Sequence, residues 1–338
     1  MRLNNRSGYD ACTGCSLCLL ACPVWRATRD IRLTPHGRAR ALQCGATAHE
    51  LAASIDACTL CGACEPACPE DMGLVAMIVD LRAELARHAP ERVEQVRARM
   101  DMNATGKESG SAVPPASRFA TLLVPDKALH ADSVLLERTV ALLGGSGKLA
   151  VAEDDGADIA LALEAGAAIA DARLARFLAQ LRGARRLIVG DGMLFRALRH
   201  WLPPGVRVES LGVAASSAAA VRDKLRASDL YVIEPRAYHA DQERLVKYYD
   251  ALRVSLGCSM NLDLQRLAIP TTAGCLPAAL GRSSVDVRDQ ASWILEGREF
   301  SRIVVEDLND IAAFTAVTDK PVVHLAQLIF DMKCSCAQ

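Results

Sequence analysis

The chain has almost no surplus of charge: its 338 residues carry 39 Lys and Arg against 40 Asp and Glu, a formal net of −1. That balance excludes a general attraction to nucleic acid or to an anionic membrane surface. No run of 18 uncharged apolar residues occurs, so no transmembrane helix is expected, and any membrane contact would come through a partner. The opening Met-Arg-Leu-Asn-Asn-Arg has no apolar stretch behind it and does not read as a secretory signal. Histidine is sparse, seven in all, and no two fall at H-x-x-x-H spacing. Each is read as structural or solvated, with a reservation for His36, which lies between the motifs described next. No Ser/His/Asp constellation can be assigned either. The length suffices for two or three domains with cores of their own.

Cysteine, in contrast, is plentiful, and eight of the thirteen form two copies of one spacing. The first is Cys12-x-x-Cys15-x-x-Cys18-x-x-x-Cys22-Pro23; the second is Cys58-x-x-Cys61-x-x-Cys64-x-x-x-Cys68-Pro69. This is the run of bacterial two-cluster ferredoxins, in which the fourth cysteine ligates the other cluster. Three thiolates at every third residue can close round three irons of a cubane. The fourth, beside a proline that turns the chain away, reaches the neighbouring one. The expectation is therefore two [4Fe–4S] clusters, one on Cys12, Cys15, Cys18 and Cys68, the other on Cys58, Cys61, Cys64 and Cys22. Zinc would favour two separated pairs per site, and a disulfide framework belongs to short secreted chains. Reduced thiolates without a signal or a span point to the cytoplasm. Leu17, Leu19, Leu20 and Leu60 are expected to supply an apolar shell. Cys44, Cys258 and Cys275 read as small buried hydrophobes; Cys334 and Cys336 lie in a short tail over 333–338.

The hydrophobic pattern divides the chain. Leu74, Val75, Met77, Ile78, Leu81 and Leu85 recur at helical spacing, residues 37–55 also read as helical, and strand-like alternation is absent. Residues 90–102 read as a charged, solvated helix, so 1–102 is an α-helical ferredoxin domain. Residues 103–117, rich in Gly, Ser and Pro, read as a linker. Beyond it, short apolar runs at 119–124, 149–152, 187–189, 230–233 and 303–305 alternate with helical stretches such as 168–182, 193–201 and 286–297. That alternation predicts α/β architecture with a parallel sheet covered on both faces. Two repeats are expected, over 118–213 and 225–332, with Gly156 and Gly274 at corresponding turns. Gly190-Asp191-Gly192 after a strand resembles the start of a dinucleotide fingerprint, with Glu209 suitably placed, but Phe195 stands where close packing requires a third glycine. Gly144-Gly145-Ser146-Gly147-Lys148 is followed by Leu149 and precedes a strand, the wrong order for a phosphate loop.

Cys12–Leu85, including Thr34-Pro35-His36-Gly37-Arg38 between the motifs, resembles the α-helical ferredoxin domain of a known group. Its members are the iron–sulfur subunits of glycolate oxidase, anaerobic glycerol-3-phosphate dehydrogenase and heterodisulfide reductase. In that group two cysteine-rich "CCG" domains usually follow, and the duplicated α/β region here has about the right length. Its cysteines are nearly all replaced, by Pro125-Asp126, Asp154-Asp155-Gly156 and Gly190–Met193 in the first half and by Glu234-Pro235-Arg236 in the second, with Cys275 as the sole candidate survivor. Carboxylates are poor substitutes for thiolates on iron–sulfur clusters. The resemblance thus implies two degenerate CCG-like repeats acting as a docking scaffold.

What the resemblance implies for function is a non-catalytic electron-transfer subunit of a multi-subunit oxidoreductase. Flavin would be held only on a flavoprotein partner, and a further carrier (quinone-linked, electron-transfer flavoprotein or iron–sulfur protein) would complete the relay. Two other readings are a disulfide-type reductase with its own substrate site in the C-terminal region, and an assembly subunit whose docking responds to cluster state.

Overall fold

The computed structural model describes residues 8–91, 94, 96, 98, 120–145 and 147–329. The linker at 103–117 and the tail with Cys334 and Cys336 lie outside them. Residues 8–91 are built from short helices and turns: α1 (Leu17–Leu20), α2 (Pro23–Thr28), α3 (Pro35–Gln43), α4 (Ala52–Ala57) and α5 (Leu74–His88). Pro23 and Pro35 open their helices, where the missing N–H costs nothing. The Thr34 hydroxyl caps α3 by accepting from Gly37 N–H. The helical reading over 37–55 resolves into two pieces, because the chain turns after Gln43 with Gly45 at φ +89°. The buried face of α5 is Leu74, Val75, Ile78, Leu81, Arg82, Leu85 and Ala86, the predicted helix with one cation added and Met77 only partly buried. Val96, in the stretch read as solvated, is buried against Ala165 and Leu276.

The rest is helices and parallel strands. One sheet joins β1 (Thr121–Val124), β2 (Leu149–Val151), β3 (Arg186–Val189) and β4 (Arg207–Ser210) in the order β2-β1-β3-β4. The other joins β5 (Asp229–Val232), β6 (Ser259–Met260), β7 (Arg302–Val305) and β8 (Val322–His324) in the order β6-β5-β7-β8. Every pairing is parallel, so the two halves share one topology. β4, β6 and β8 escaped the sequence reading. Arg207-Val208-Glu209-Ser210 alternates and carries a buried charge, β6 is only two residues long, and β8 is partly exposed.

The acidic residues after the strands serve the fold. Asp126, Asp191 and Glu234 each accept from backbone N–H groups at the start of a helix. Asp154 pairs with Arg173 at 2.7 Å and Asp155 with His130 at 2.8 Å. At the seam between the halves, the Glu306 carboxylate accepts from Tyr231, Tyr249 and the Glu234 N–H. Burial pushes Glu306 up to about 7 and Glu234 to about 8. A Cβ at position 212 would strike the Glu306 carboxylate, which accounts for Gly212 there.

The helical region is not a separate bead. Leu60, Val75 and Ile78 belong to the same core as Ile159, Leu163, Met193 and Ala197 of the first half. Each of these side chains except that of Ala197 contributes ~1.5–3 kcal/mol on burial. Helix α5 packs on α6 (Ala157–Ala165), and Gly166 at the end of α6 has no room for a Cβ against the backbone of Arg82 and Ala83.

Candidate functional site

The two cysteine runs fold into loops with the same backbone. In the first, Gly14 (φ +83°) and Ser16 (φ +66°) flank Cys15; in the second, Leu60 (φ +55°) and Gly62 (φ +79°) flank Cys61. Left-handed residues on either side of the middle cysteine coil each loop tightly enough to turn its thiols inward. Ser16 and Leu60 adopt a conformation that costs a residue with a Cβ roughly 1 kcal/mol or more, so the surrounding structure must enforce it.

The thiols converge in crossed sets. Cys12, Cys15, Cys18 and Cys68 line one cavity of ≈ 340 Å³, together with His36 and Met72. Cys22, Cys58, Cys61 and Cys64 line a second of ≈ 420 Å³, together with Arg38 and Leu60. Pro35 and Leu74 form part of the wall of both, so the cavities are neighbours separated by an apolar partition. The fourth cysteine of each run thus lies with the other run's triplet, because α2 and the turn after Cys68 carry the chain across.

The sulfur environments differ. Burial, then repulsion from Cys68, Cys12 and Cys15, pushes Cys18 up to about 11. Burial pushes Cys22 up to about 11 and Cys61 to about 12, and holds Cys64 well above the ordinary thiol range. Four crowded thiols therefore stay protonated until a cation displaces the protons. Cys15 is exposed, whereas Cys22 and Cys61 are buried. The first cavity faces outward and the second lies inside the molecule.

Three arginines not singled out as site residues surround the inner cavity. Arg38 lines it, is 1 % exposed, and donates to the carbonyls of Leu33 and Ser54. Arg82 donates to the Cys58 and Ile55 carbonyls on one side and to the Glu164 carbonyl on the other. Arg196, from α7 (Gly192–Trp201), pairs with Glu65 at 2.6 Å between Cys64 and Cys68, and its guanidinium leaves no space for a side chain at Gly62. From the second half, on α8 (Pro235–Ala240), His239 donates from Nδ1 to the Cys61 carbonyl at 2.8 Å and accepts from Ala268 N–H at Nε2. Desolvation, the largest influence, holds His239 down at about 4, so it is neutral, as those two bonds require. A mid-helix Arg is hard to flag from sequence; Arg38 was visible only inside the Thr34–Arg38 segment.

Several expectations need correcting. Leu60 is buried and lines the inner cavity as expected, but Leu17 and Leu20 are 44 % and 64 % exposed and Leu19 lines neither cavity, so the rest of the apolar shell comes from Leu74, Val75 and Ile78. Helix α1 turns Leu17 and Leu20 outward as its cysteine turns in. Cys258 and Cys275 are buried, whereas Cys44, at the end of α3, is exposed. His36 accompanies the outer thiols and lies 3.2 Å from the Ser16 hydroxyl.

Residues 8–72 match the family model of the 4Fe-4S dicluster domain. No curated protein and no solved structure matches the chain. The N-terminal region is thus iron–sulfur and ferredoxin-type, and electron transfer is the chemistry such a region supplies. Among the described residues no helix is long and apolar enough to cross a membrane.

Proposed function

We propose that the chain is the electron-transfer subunit of a multi-subunit oxidoreductase. It would relay electrons through two [4Fe–4S] clusters between a flavoprotein partner and a further carrier, quinone-linked, flavoprotein or iron–sulfur. Cys12, Cys15, Cys18 and Cys68 would hold the outer cluster; Cys58, Cys61, Cys64 and Cys22 would hold the inner one. The observation that carries the reading is the pair of adjoining four-thiol cavities with a common wall. Soft thiolates in a largely apolar cage suit iron–sulfur clusters. An uninterrupted triplet completed by a distant fourth thiol suits a cubane better than the separated pairs that zinc favours. Arg38 and Arg82 would offset the negative charge that such a cluster and its thiolates bring into a buried site.

The α/β region fits the role of a degenerate CCG-like scaffold. The acidic residues at the strand ends are occupied with helix caps and ion pairs, and both halves grip the second cysteine loop through Arg196 and His239. The test is anaerobic isolation of the tagged full chain from its native cell. The expected result is an iron–sulfur absorbance that bleaches on reduction and a co-purifying flavin-bearing subunit whose reduction bleaches it too. A colourless chain, or one carrying zinc, would overturn the proposal.

A further inference from the structure

Beside the inner thiols lies a cleft of ≈ 560 Å³ between the helical region and the second α/β half. Its walls include Leu20, Trp25 and Cys22 on one side and Ile269 and Trp293 on the other. Arg26 and Arg29 stand in it, Arg26 stacked on Trp293 at 4.4 Å and Arg29 on Trp25 at 5.7 Å. Indole rings and guanidinium planes are both surfaces on which a flat ring stacks. Clefts between domains are usual places for a small organic ligand.

The polar group that specifies the ligand is Gln290, on α9 (Val287–Leu295), 0 % exposed and part of the lining. Its Oε1 accepts from Arg26 Nε at 3.0 Å and NH2 at 2.8 Å, which fixes the orientation of the amide. Nε2 is then a donor, and it has no partner among the described residues. A buried amide N–H left unbonded is costly, and it calls for an acceptor. Together with the two guanidinium groups, the cleft is rich in donors, with Asp263 as its one carboxylate. A flavin ring edge demands acceptors for its own N–H as well as donors. A quinone demands only donors.

We propose that this cleft, lined by Trp25 and Trp293, binds the ring of a quinone, a carbonyl of which accepts from Gln290 Nε2. The inference rests on the electron-transfer reading and names the further carrier. Cys22 belongs to both the cleft and the inner four-thiol cavity, so ring and cluster would be adjacent. Reduction of the quinone to quinol would take two electrons, which the two [4Fe–4S] clusters of the proposed relay would supply one each, and two protons from solvent at the mouth of the cleft.

The test is tryptophan fluorescence of the full anaerobic chain titrated with decylubiquinone, whose fully substituted ring resists addition of thiols. Saturable quenching is expected from the parent. It should vanish in a W25F/W293F double variant, which keeps only Trp201. Gln290→Glu retains the acceptor for Arg26 and removes the free donor; it should weaken binding about tenfold while the iron content stays that of the parent. Leu20→Glu, at an exposed position of the mouth, should weaken binding too, and its exposure makes it safe for folding. No saturable quenching in the parent overturns the proposal, as does equal binding by the parent, Gln290→Glu and Leu20→Glu, or saturation by FMN and not by the quinone. Each of those results leaves the iron content and partner of the chain as a separate question, so the electron-transfer reading could survive them.

Discussion

A Cys68→Ala chain, purified anaerobically, should carry about four irons where the parent carries about eight, since one [4Fe–4S] cluster loses a ligand. The missing cluster should be the outer one, although Cys68 belongs to the second run, because its thiol lines the cavity of Cys12, Cys15 and Cys18. Cys22→Ala should be the mirror case and cost the inner cluster. EPR of the reduced proteins distinguishes the two. The parent should show two interacting spins, and each variant a single uncoupled one with its own line shape. Retention of about eight irons in either variant would sink the crossed assignment. Loss of the Cys58, Cys61 and Cys64 cluster on removing Cys68 would sink it equally.

Arg82→Met should destabilise the whole chain, with an expected cost of about 2–5 kcal/mol from the carbonyls it leaves unpaired. Arg82 is buried and satisfies carbonyls from both sides of the junction, those of Ile55 and Cys58 on the cysteine side and that of Glu164 on the other. Methionine fills much of the same space but offers no donor, so the Cys58 and Glu164 carbonyls lose their partner and the Ile55 carbonyl keeps only the Cys58 N–H. The thermal unfolding midpoint should fall by roughly 5 °C or more, and the iron–sulfur absorbance should fade faster on warming. A variant as stable as the parent would mean that solvent or another side chain serves those carbonyls.

How much of this was legible beforehand depends on the kind of signal. The cysteine runs carry their geometry in their spacing, and the crossing of Cys22 and Cys68 could be expected because the proline after each fourth cysteine redirects the chain. Helix α5 was readable because its apolar residues repeat at 3.6-residue intervals. The α/β region is legible through β1, β3, β5 and β7, which are central and apolar, and through the apolar edge strand β2; the edge strands β4, β6 and β8 are short or carry charge, and pattern gives little grip on such segments. What could not be read is everything that depends on distant parts of the chain meeting. Arg82 looks like any surface arginine until Glu164 comes beside it. Gly37 reads as a weak spot in a helix, whereas a Cβ there would collide with the Ile31 carbonyl. Gln290 sits on an ordinary amphipathic helix; only the approach of Arg26 fixes the orientation of its amide.

The unequal depth of the two thiol cages, Cys15 open to solvent and Cys61 enclosed, bears on how the protein would age in air. Dioxygen and chelators reach the surface first, so bleaching should run in two stages. The outer iron should leave early and the inner iron should persist, shielded by Arg196 and His239 and by the helices that hold them. A brief exposure to air followed by iron counting would then yield a half-depleted species, still folded and still coloured.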